Sequence, residues 1–308
     1  MLVALCALLA LPVLVVGVHL RKHSQLRRSV LFDRQNLFHG SDAFHVVSAL
    51  KLEPGQDLLE GVGQYVRGVE QLGAKVIYAG KLAFPMPRKS KQMPDLEWEA
   101  FVVSQYATRD AWEAAAASDS YLGLKSEFTR VWSLGMARKA RQNFAVSLWM
   151  LQKRIRHLLS RAPASYPFQP VEVPEDRREQ VATLKTFLGQ VASENEAFSK
   201  DALVIINFQK FGSAASERRA NDKYADSMMS MLSEVGHGPI HVGRAVSLED
   251  DVDFDQVVIV SYPGIRYFVE MVQSRFYTGI FGGKQLGDDL SSPTVPILQC
   301  IDTKRSTT

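Results

Sequence analysis

One phrase occurs twice in this chain, and the repetition constrains the fold more than any other feature. Residues 98–124 align without a gap on residues 254–280. The identical pairs are Val102 and Val258, Tyr106 and Tyr262, Ser118 and Ser274, Tyr121 and Tyr277, and Gly123 and Gly279. Self-similarity of this kind indicates a duplicated structural unit. Each copy predicts a strand of about seven residues, a short break and a helix of about three turns.

The alignment extends upstream with small changes of register. Residues 72–81 align on 235–244, which brings together two pairs of glycines, and residues 43–52 align on 202–211. The register changes fall between predicted elements, where loops tolerate insertions and deletions. A helical spacing of apolar residues precedes each second strand, from Leu58 in the first copy. The order in each copy is therefore strand, helix, strand, strand, helix.

A fourth strand completes each unit. The segment 293–301 predicts an edge-type strand in the second copy, because its prolines cannot donate to a ladder, and 129–137 is the candidate in the first. The result is β-α-β-β-α-β, the ferredoxin-like unit. Its helices lie on one side of the sheet and leave the other face uncovered. We therefore expect an α+β fold in which two ferredoxin-like units pack as an intrachain pseudo-dimeric α/β barrel.

Two of the repeated segments resemble a known family. Residues 72–81 and 235–244 are similar to the second-strand segment of the family called domain of unknown function 1330, and "SDSYLGL" and "SRFYTGI" resemble its second-helix signature. The resemblance covers 43–136 and 202–301. It implies membership of the dimeric α/β-barrel superfamily, which includes monooxygenases, chlorite dismutases and small isomerases. The family itself implies no agreed activity, and a fold alone does not define a reaction.

The N-terminus differs from the rest of the chain. Residues 1–20 carry no ionised side chain and would span about 30 Å as a helix, the thickness of a bilayer core. Basic residues follow immediately, beginning with Arg21 and Lys22, whereas a cleavable signal peptide has its positive charge first. We expect an uncleaved single-pass anchor with the globular part in the cytoplasm, because positive charge favours that side.

The connector between the copies is basic. Phe144, Leu148, Leu151, Ile155 and Leu158 fall on one face of a helix predicted over 138–161. Its cations are predicted to face an anionic membrane surface, the alternative being that the apolar stripe packs on the first copy. These membrane-surface candidates are Arg138, Lys139, Arg141, Lys153, Arg154, Arg156 and Arg161. A Pro-rich linker and a second helix follow.

Polar residues on the predicted strands are candidates for a ligand pocket. His45 and Asn207 lie in the two first strands, Ser48 is the counterpart of Asn207, and His241 occupies the position of Tyr78. Hydrogen-bonded polar groups of the sheet are the alternative interpretation. His237 and His241 cannot share a metal ion, because strand residues four apart are about 13 Å apart. The four recurring tyrosines indicate packing, since both copies need the same core.

The resulting domain organisation has five parts. They are an anchor at 1–20, a linker at 21–42, the first unit at 43–137, the connector at 138–200 and the second unit at 201–308. A net charge of +3 does not indicate nucleic-acid binding, and two cysteines, Cys6 and Cys300, do not make a disulfide framework.

Two functions follow from the sequence. The first is a membrane-anchored scaffold or small-ligand-binding protein, with a protein or a hydrophobic small molecule as partner. The second is a membrane-tethered monooxygenase- or isomerase-like enzyme acting on a hydrophobic small molecule. No catalytic residue, metal or cofactor is predicted, and heme or flavin stays open.

Overall fold

The structure is a computed structural model that describes residues 2–35, 39–86, 90–92, 97–160, 164–172, 202–248 and 252–307, with isolated positions at 175, 178, 182 and 186. Within helices, the side chains of 2–11, 140, 143 and 304–307 lie outside the described part. The second connector helix predicted after the Pro-rich linker falls almost entirely outside it.

The chain begins with a long helix and a first set of sheet elements. These are α1 (Leu2–Ser29), β1 (Phe44–Lys51), α2 (Leu58–Gln71), β2 (Lys75–Leu82), β3 (Ala100–Tyr106), α3 (Arg109–Ala116), α4 (Asp119–Ser126) and β4 (Arg130–Ala137). The fourth strand expected at 129–137 is thus present. The connector forms α5 (Ala140–Ser160).

The second set repeats the order of the first. It comprises β5 (Leu203–Phe211), α6 (Ala215–Glu234), β6 (Gly238–Ser247), β7 (Gln256–Tyr262), α7 (Ile265–Val272), α8 (Arg275–Ile280), β8 (Leu286–Pro296) and α9 (Leu298–Thr307). A short 3-10 turn, Phe281–Gly283, separates α8 from β8.

The eight strands form one closed antiparallel barrel in the order β1-β3-β2-β8-β5-β7-β6-β4. The halves have matching orders, β4-β1-β3-β2 and β8-β5-β7-β6, which is the ferredoxin-like arrangement. They join where β2 pairs with β8 through Gly80–Leu82 and where β4 pairs with β6 through Leu134–Ala137. The α+β class and the α/β-barrel architecture expected from the sequence are confirmed.

β8 corrects the expected position and type of the last strand. It starts at Leu286 and ends at Pro296, and α9 begins at Leu298, so residues 298–301 are helical. It is not an edge strand, since it pairs with both β2 and β5. Closure of a barrel removes edges. Pro293 still contributes its carbonyl, which accepts a hydrogen bond of 2.8 Å from the Ala83 amide.

The repeated serine begins a separate short helix. Ser118 Oγ accepts a hydrogen bond from the Tyr121 amide at 3.2 Å, and Ser274 Oγ accepts one from the Tyr277 amide at 3.1 Å. Both serines are helix N-caps, and both tyrosines are buried. The single helix of three turns expected in each copy is therefore two short helices. In the repeated phrase the serine caps a helix and the tyrosine packs in the core, which agrees with a structural role for the tyrosines.

The aligned glycines Gly80 and Gly243 explain why the second strands match. A methyl group on Gly80 would lie 2.5 Å from Tyr78 Oη, and one on Gly243 would collide with Met136 Cγ. Each strand also has a register irregularity just before its glycine, between Val76 and Tyr78 in β2 and between Pro239 and His241 in β6. Tyr78 and His241 therefore occupy equivalent places in the barrel.

Bulky apolar side chains fill the barrel interior. Trp132, Phe101 and Phe208 are buried together there, with ring centroids 5.4 Å apart for Trp132 and Phe208 and 6.5 Å apart for Phe101 and Phe208. Two further cores lie outside the barrel wall, one under α2, α3, α4 and α9, and the other under α6, α7 and α8. The interior is thus a packed core, as expected for a small barrel.

The connector helix α5 packs on the second half of the barrel, against α6 and β6, and also contacts α1. Among the described side chains of α5, Ser147, Met150 and Leu151 are buried, whereas Leu158 of the predicted stripe is exposed. The alternative that the apolar stripe packs on the first copy is therefore wrong, because α5 packs on the second half of the barrel.

No helix within the described residues is both long enough and apolar enough to span a bilayer. Much of the anchor predicted over 1–20 falls on side chains outside that part.

Candidate functional site

Buried polar side chains gather at one end of the barrel. The strands β1, β2 and β6 run in the same direction and begin at this end. Residues 30–35, which follow α1, lie across it. The Arg34 amide donates a 2.8 Å hydrogen bond to the Ile77 carbonyl of β2, so this N-terminal segment is bonded to the barrel wall.

Asp33 is the centre of the cluster. Its Oδ2 accepts hydrogen bonds from Arg27 Nε at 2.9 Å and Arg27 Nη2 at 2.7 Å, and lies 2.8 Å from His241 Nε2. Its Oδ1 accepts a 2.8 Å bond from the Gln35 amide. Phe32, with a left-handed φ of 50°, turns the chain just before it. A fully buried carboxylate needs several donors, and Asp33 has them from three residues.

Two further side chains extend the cluster across the barrel end. Arg138 Nη1 donates to His241 Nδ1, and Arg138 Nη2 donates to the Ile240 carbonyl at 3.1 Å. Gln35 Oε1 lies 3.0 Å from His45 Nε2, and Gln35 Nε2 donates to Gln105 Oε1 at 3.0 Å. With Nδ1 accepting, Nε2 of His241 carries the proton and faces the Asp33 carboxylate, so the neutral ring suits both neighbours.

Burial sets the charge states of the cluster. It lowers the pKa of His241 to about 3, with Asp33 opposing and Arg138 reinforcing the shift. The pKa of His45 is also well below its ordinary value, first because of burial and then because of Arg138. Burial would raise the pKa of Asp33, but Arg27 and His241 hold it below its usual range. Burial lowers the pKa of Arg138 to about 9. At neutral pH the cluster therefore holds neutral histidines, one carboxylate and two guanidinium groups.

The predicted pocket residues divide into two groups. His45 and His241 meet in this cluster through Gln35 and Arg138. Tyr78 is buried in the barrel, and its hydroxyl lies 2.7 Å from Thr294 Oγ1.

Ser48 and Asn207 point outward, towards the helices. Ser48 Oγ lies 2.9 Å from Ser133 Oγ and accepts a bond from Tyr65, while Asn207 donates to the Val258 carbonyl at 3.0 Å. Since strand side chains alternate between faces, they cannot share a pocket with His45.

The structure corrects the prediction that Arg138 is a membrane-surface cation. Only 3% of it is exposed, and its guanidinium bonds inside the barrel end. The Lys153 ammonium is also paired within the protein, because it forms an ion pair with Asp226 of α6. Lys139, Arg141, Arg154 and Arg156 are exposed, and Arg161 lies outside the described residues.

Sequence reasoning missed four members of the cluster: Arg27, Asp33, Gln35 and Arg138. Arg27, Asp33 and Gln35 lie in the predicted linker at 21–42, and no spacing in that segment distinguishes a buried residue from a solvated one. The basic residues next to the apolar run, Arg27 among them, predicted membrane orientation and did not indicate that Arg27 is buried.

The described residues contain no group of three or more His, Cys, Asp or Glu that could hold a metal ion. A heme needs room for its flat macrocycle and an axial ligand such as histidine. His45 and His241 lie against a barrel filled by Trp132, Phe101 and Phe208, and both are tied into the polar cluster. The residues at this site do not fit a heme.

Comparisons with known proteins give no family. No family model matches the chain, so the resemblance to domain of unknown function 1330 is not confirmed, and no curated protein matches it.

Among solved structures, the neighbours are dimeric α/β-barrel proteins. A chlorite dismutase variant from Candidatus Nitrospira defluvii aligns with a TM-score of 0.42 and 11% identity over 88% of this chain and 98% of its own. A candidate monooxygenase from Fusobacterium nucleatum gives 0.41 and 6% over 84% and 94%. An anthrone oxidase-like protein gives 0.40 and 10% over 84% and 92%. Likeness at this level carries no conclusion about activity, and the fold assignment rests on the strand order.

Proposed function

We propose that this chain is a membrane-held barrel module that works as a scaffold or binding protein. One observation carries the proposal: the same helix, α1, is tied to the barrel near its C-terminal end and exposes apolar side chains near its middle. Arg27 is locked onto Asp33 in the barrel end, whereas Val13 and Leu14 are 73% and 63% exposed. A rigidly fixed helix with apolar side chains in solvent is suited to entering a lipid phase.

The filled barrel interior supports a scaffold rather than a carrier. A ligand would have to displace Trp132 or Phe208 from a close-packed core, which costs several kcal/mol per side chain. Partners are therefore expected on the outer surface of the barrel. We further infer that the halves are tandem ferredoxin-like units forming a pseudo-dimer within one chain. The basic residues that follow the apolar run favour the cytoplasmic side for the barrel.

Membrane fractionation of cells producing the full chain tests this proposal. Deleting residues 2–15 removes most of the apolar run, including Val13 and Leu14, but keeps His19, His23 and Arg27. We expect the full chain to sediment with membranes and to resist carbonate extraction, and the shortened chain to be soluble with an unchanged near-UV circular dichroism spectrum. Leu122→Asp, at an exposed apolar residue of α4, is the matched control and should stay with the membranes. Recovery of the full chain in the soluble fraction would contradict the proposal.

An enzyme is the second candidate, and the cluster at the barrel end is the observation that favours it. Polar contacts join His45, Gln35, Arg138, His241 and Asp33 in a continuous series, and its two histidines and one carboxylate are residue types that serve as general acids and bases. An absorption spectrum and an oxygen-uptake assay with an anthrone probe distinguish the two candidates. A Soret or flavin band, or uptake that His241→Gln abolishes, would favour the enzyme. A scaffold gives neither.

A further inference from the structure

The helices α1 and α5 together form one basic surface. They run antiparallel: Arg27 and Asp33 lie near Arg138, which precedes α5, and His23, one turn back along α1, lies 3.2 Å from Ser147, further along α5. Neither helix contains an acidic residue. Their exposed cations are Arg21, Lys22, Arg28, Arg141, Arg154 and Arg156.

Exposed apolar residues lie on the same two helices. Leu158 and Leu159, in the last turn of α5, are 69% and 79% exposed, comparable to Val13 and Leu14 of α1. The C-terminal end of α1 and the N-terminal end of α5 both lie at the barrel end, so the two helices extend away from it side by side. Their exposed apolar residues and the nearby cations therefore lie on the same side of the molecule. Trp149, half-exposed on α5, adds a residue type that is enriched at membrane interfaces.

The charge on this surface identifies its occupant. A second copy of the chain would meet it with the same patch across a twofold axis, which would set cation against cation. An anionic lipid surface offers the opposite charge for the basic residues and an apolar phase for the leucines. We propose that the α1–α5 surface recognises anionic lipid headgroups through Arg21, Lys22, Arg154 and Arg156, a refinement that rests on the membrane-held function proposed above.

Vesicle binding by the full chain tests the inference. The chain is diluted from detergent into phosphatidylcholine vesicles with or without phosphatidylserine, and floated in a density gradient. Each cation near an anionic surface is worth about fivefold in partitioning, so changing all four to Gln should reduce the preference for phosphatidylserine at least roughly tenfold. The matched control changes four exposed cations elsewhere, Arg219, Lys223, Arg266 and Arg275, and should keep the preference.

The outcomes separate this inference from the proposed function. Equal binding of the unchanged chain to both vesicle types would overturn the recognition of anionic lipid but leave the membrane-held module intact. Binding to neither would overturn both. An equal loss in the variant and its control would show a general charge effect and overturn the assignment to α1 and α5. A lipid-independent dimer in analytical ultracentrifugation that the four changes abolish would assign the surface to a second copy.

Discussion

The buried ion pair between Arg27 and Asp33 joins the N-terminal helix to the barrel, so its removal should destabilise the whole fold. Asp33→Asn keeps the size of the side chain but places an amide where three donor groups converge, and it leaves Arg27 and Arg138 without a buried anion. Breaking a fully buried pair costs about 3–5 kcal/mol, because the remaining charge is desolvated and uncompensated. The side chains of Asp33 and Arg27 are 0% and 4% exposed, so the full effect is expected.

Thermal unfolding in a mild detergent measures the effect. In a domain of 150–250 residues, 1 kcal/mol changes Tm by about 2–4 °C, so a cost of about 3–5 kcal/mol means that Asp33→Asn should lower Tm by roughly 6–20 °C. Tryptophan fluorescence is a suitable signal, because Trp132 and Trp98 report on the barrel interior.

A surface pair provides the control. Glu113→Gln breaks the exposed pair between Arg109 and Glu113 within α3 and should change Tm by no more than about 1–2 °C. Combining Asp33→Asn with Arg27→Met should destabilise by less than the two single changes added together, since neither partner then remains as a lone buried charge. A change of Tm for Asp33→Asn as small as that of the surface control would refute the reasoning.

Three further predictions concern pH, packing and capping. Lowering the pH from 7 to 5 should destabilise the chain by about 2 kcal/mol for each histidine that burial holds neutral. The reason is that a histidine of the unfolded chain takes up a proton below about pH 6.5, whereas folded His241, with a pKa of about 3, does not. The free energy of unfolding in urea should therefore depend less on pH in His241→Gln than in the unchanged chain. Gly80→Ala should lower Tm strongly, whereas Gly123→Ala, with open space around it in α4, should leave it unchanged or raise it. Ser118→Ala should cost about 1 kcal/mol in chemical unfolding through loss of an N-cap, and Ser118→Asp, at this half-buried cap, should restore part of it.

The fold was accessible from sequence because its signals are local and occur twice. The capping serines Ser118 and Ser274 fix where short helices begin, and Gly80 and Gly243 fix where a strand passes close to a neighbouring side chain. Each needs one residue type at one place, so both copies retain it. The bounds and type of β8 could not be predicted in this way. Its prolines suggested an edge strand, whereas in the closed barrel β8 pairs with a strand on each side.

The candidate site was accessible only in part. His45 and His241 were identified as polar residues in predicted strands, but their partners come from distant segments. Arg138 and His241 are 103 residues apart in sequence, and the Asp33 carboxylate reaches the barrel from a segment with no periodicity. Contacts between single side chains from unrelated segments leave no pattern in one sequence. Periodicity also failed for α5, where contact with α6 and β6 decides which face is buried.

The position shared by Tyr78 and His241 shows why the N-terminal segment belongs to the barrel. Both residues follow the same irregularity in equivalent strands, and a perfect duplication would give them equivalent surroundings. The chain has only one N-terminal segment, however, and its Asp33 can meet only one of the two. Tyr78 bonds to the barrel's own Thr294, whereas His241 meets Asp33 and Arg138. His241, which departs from the repeat, therefore marks the place where the N-terminal segment docks. The helix α1 and the barrel thus form one structural unit.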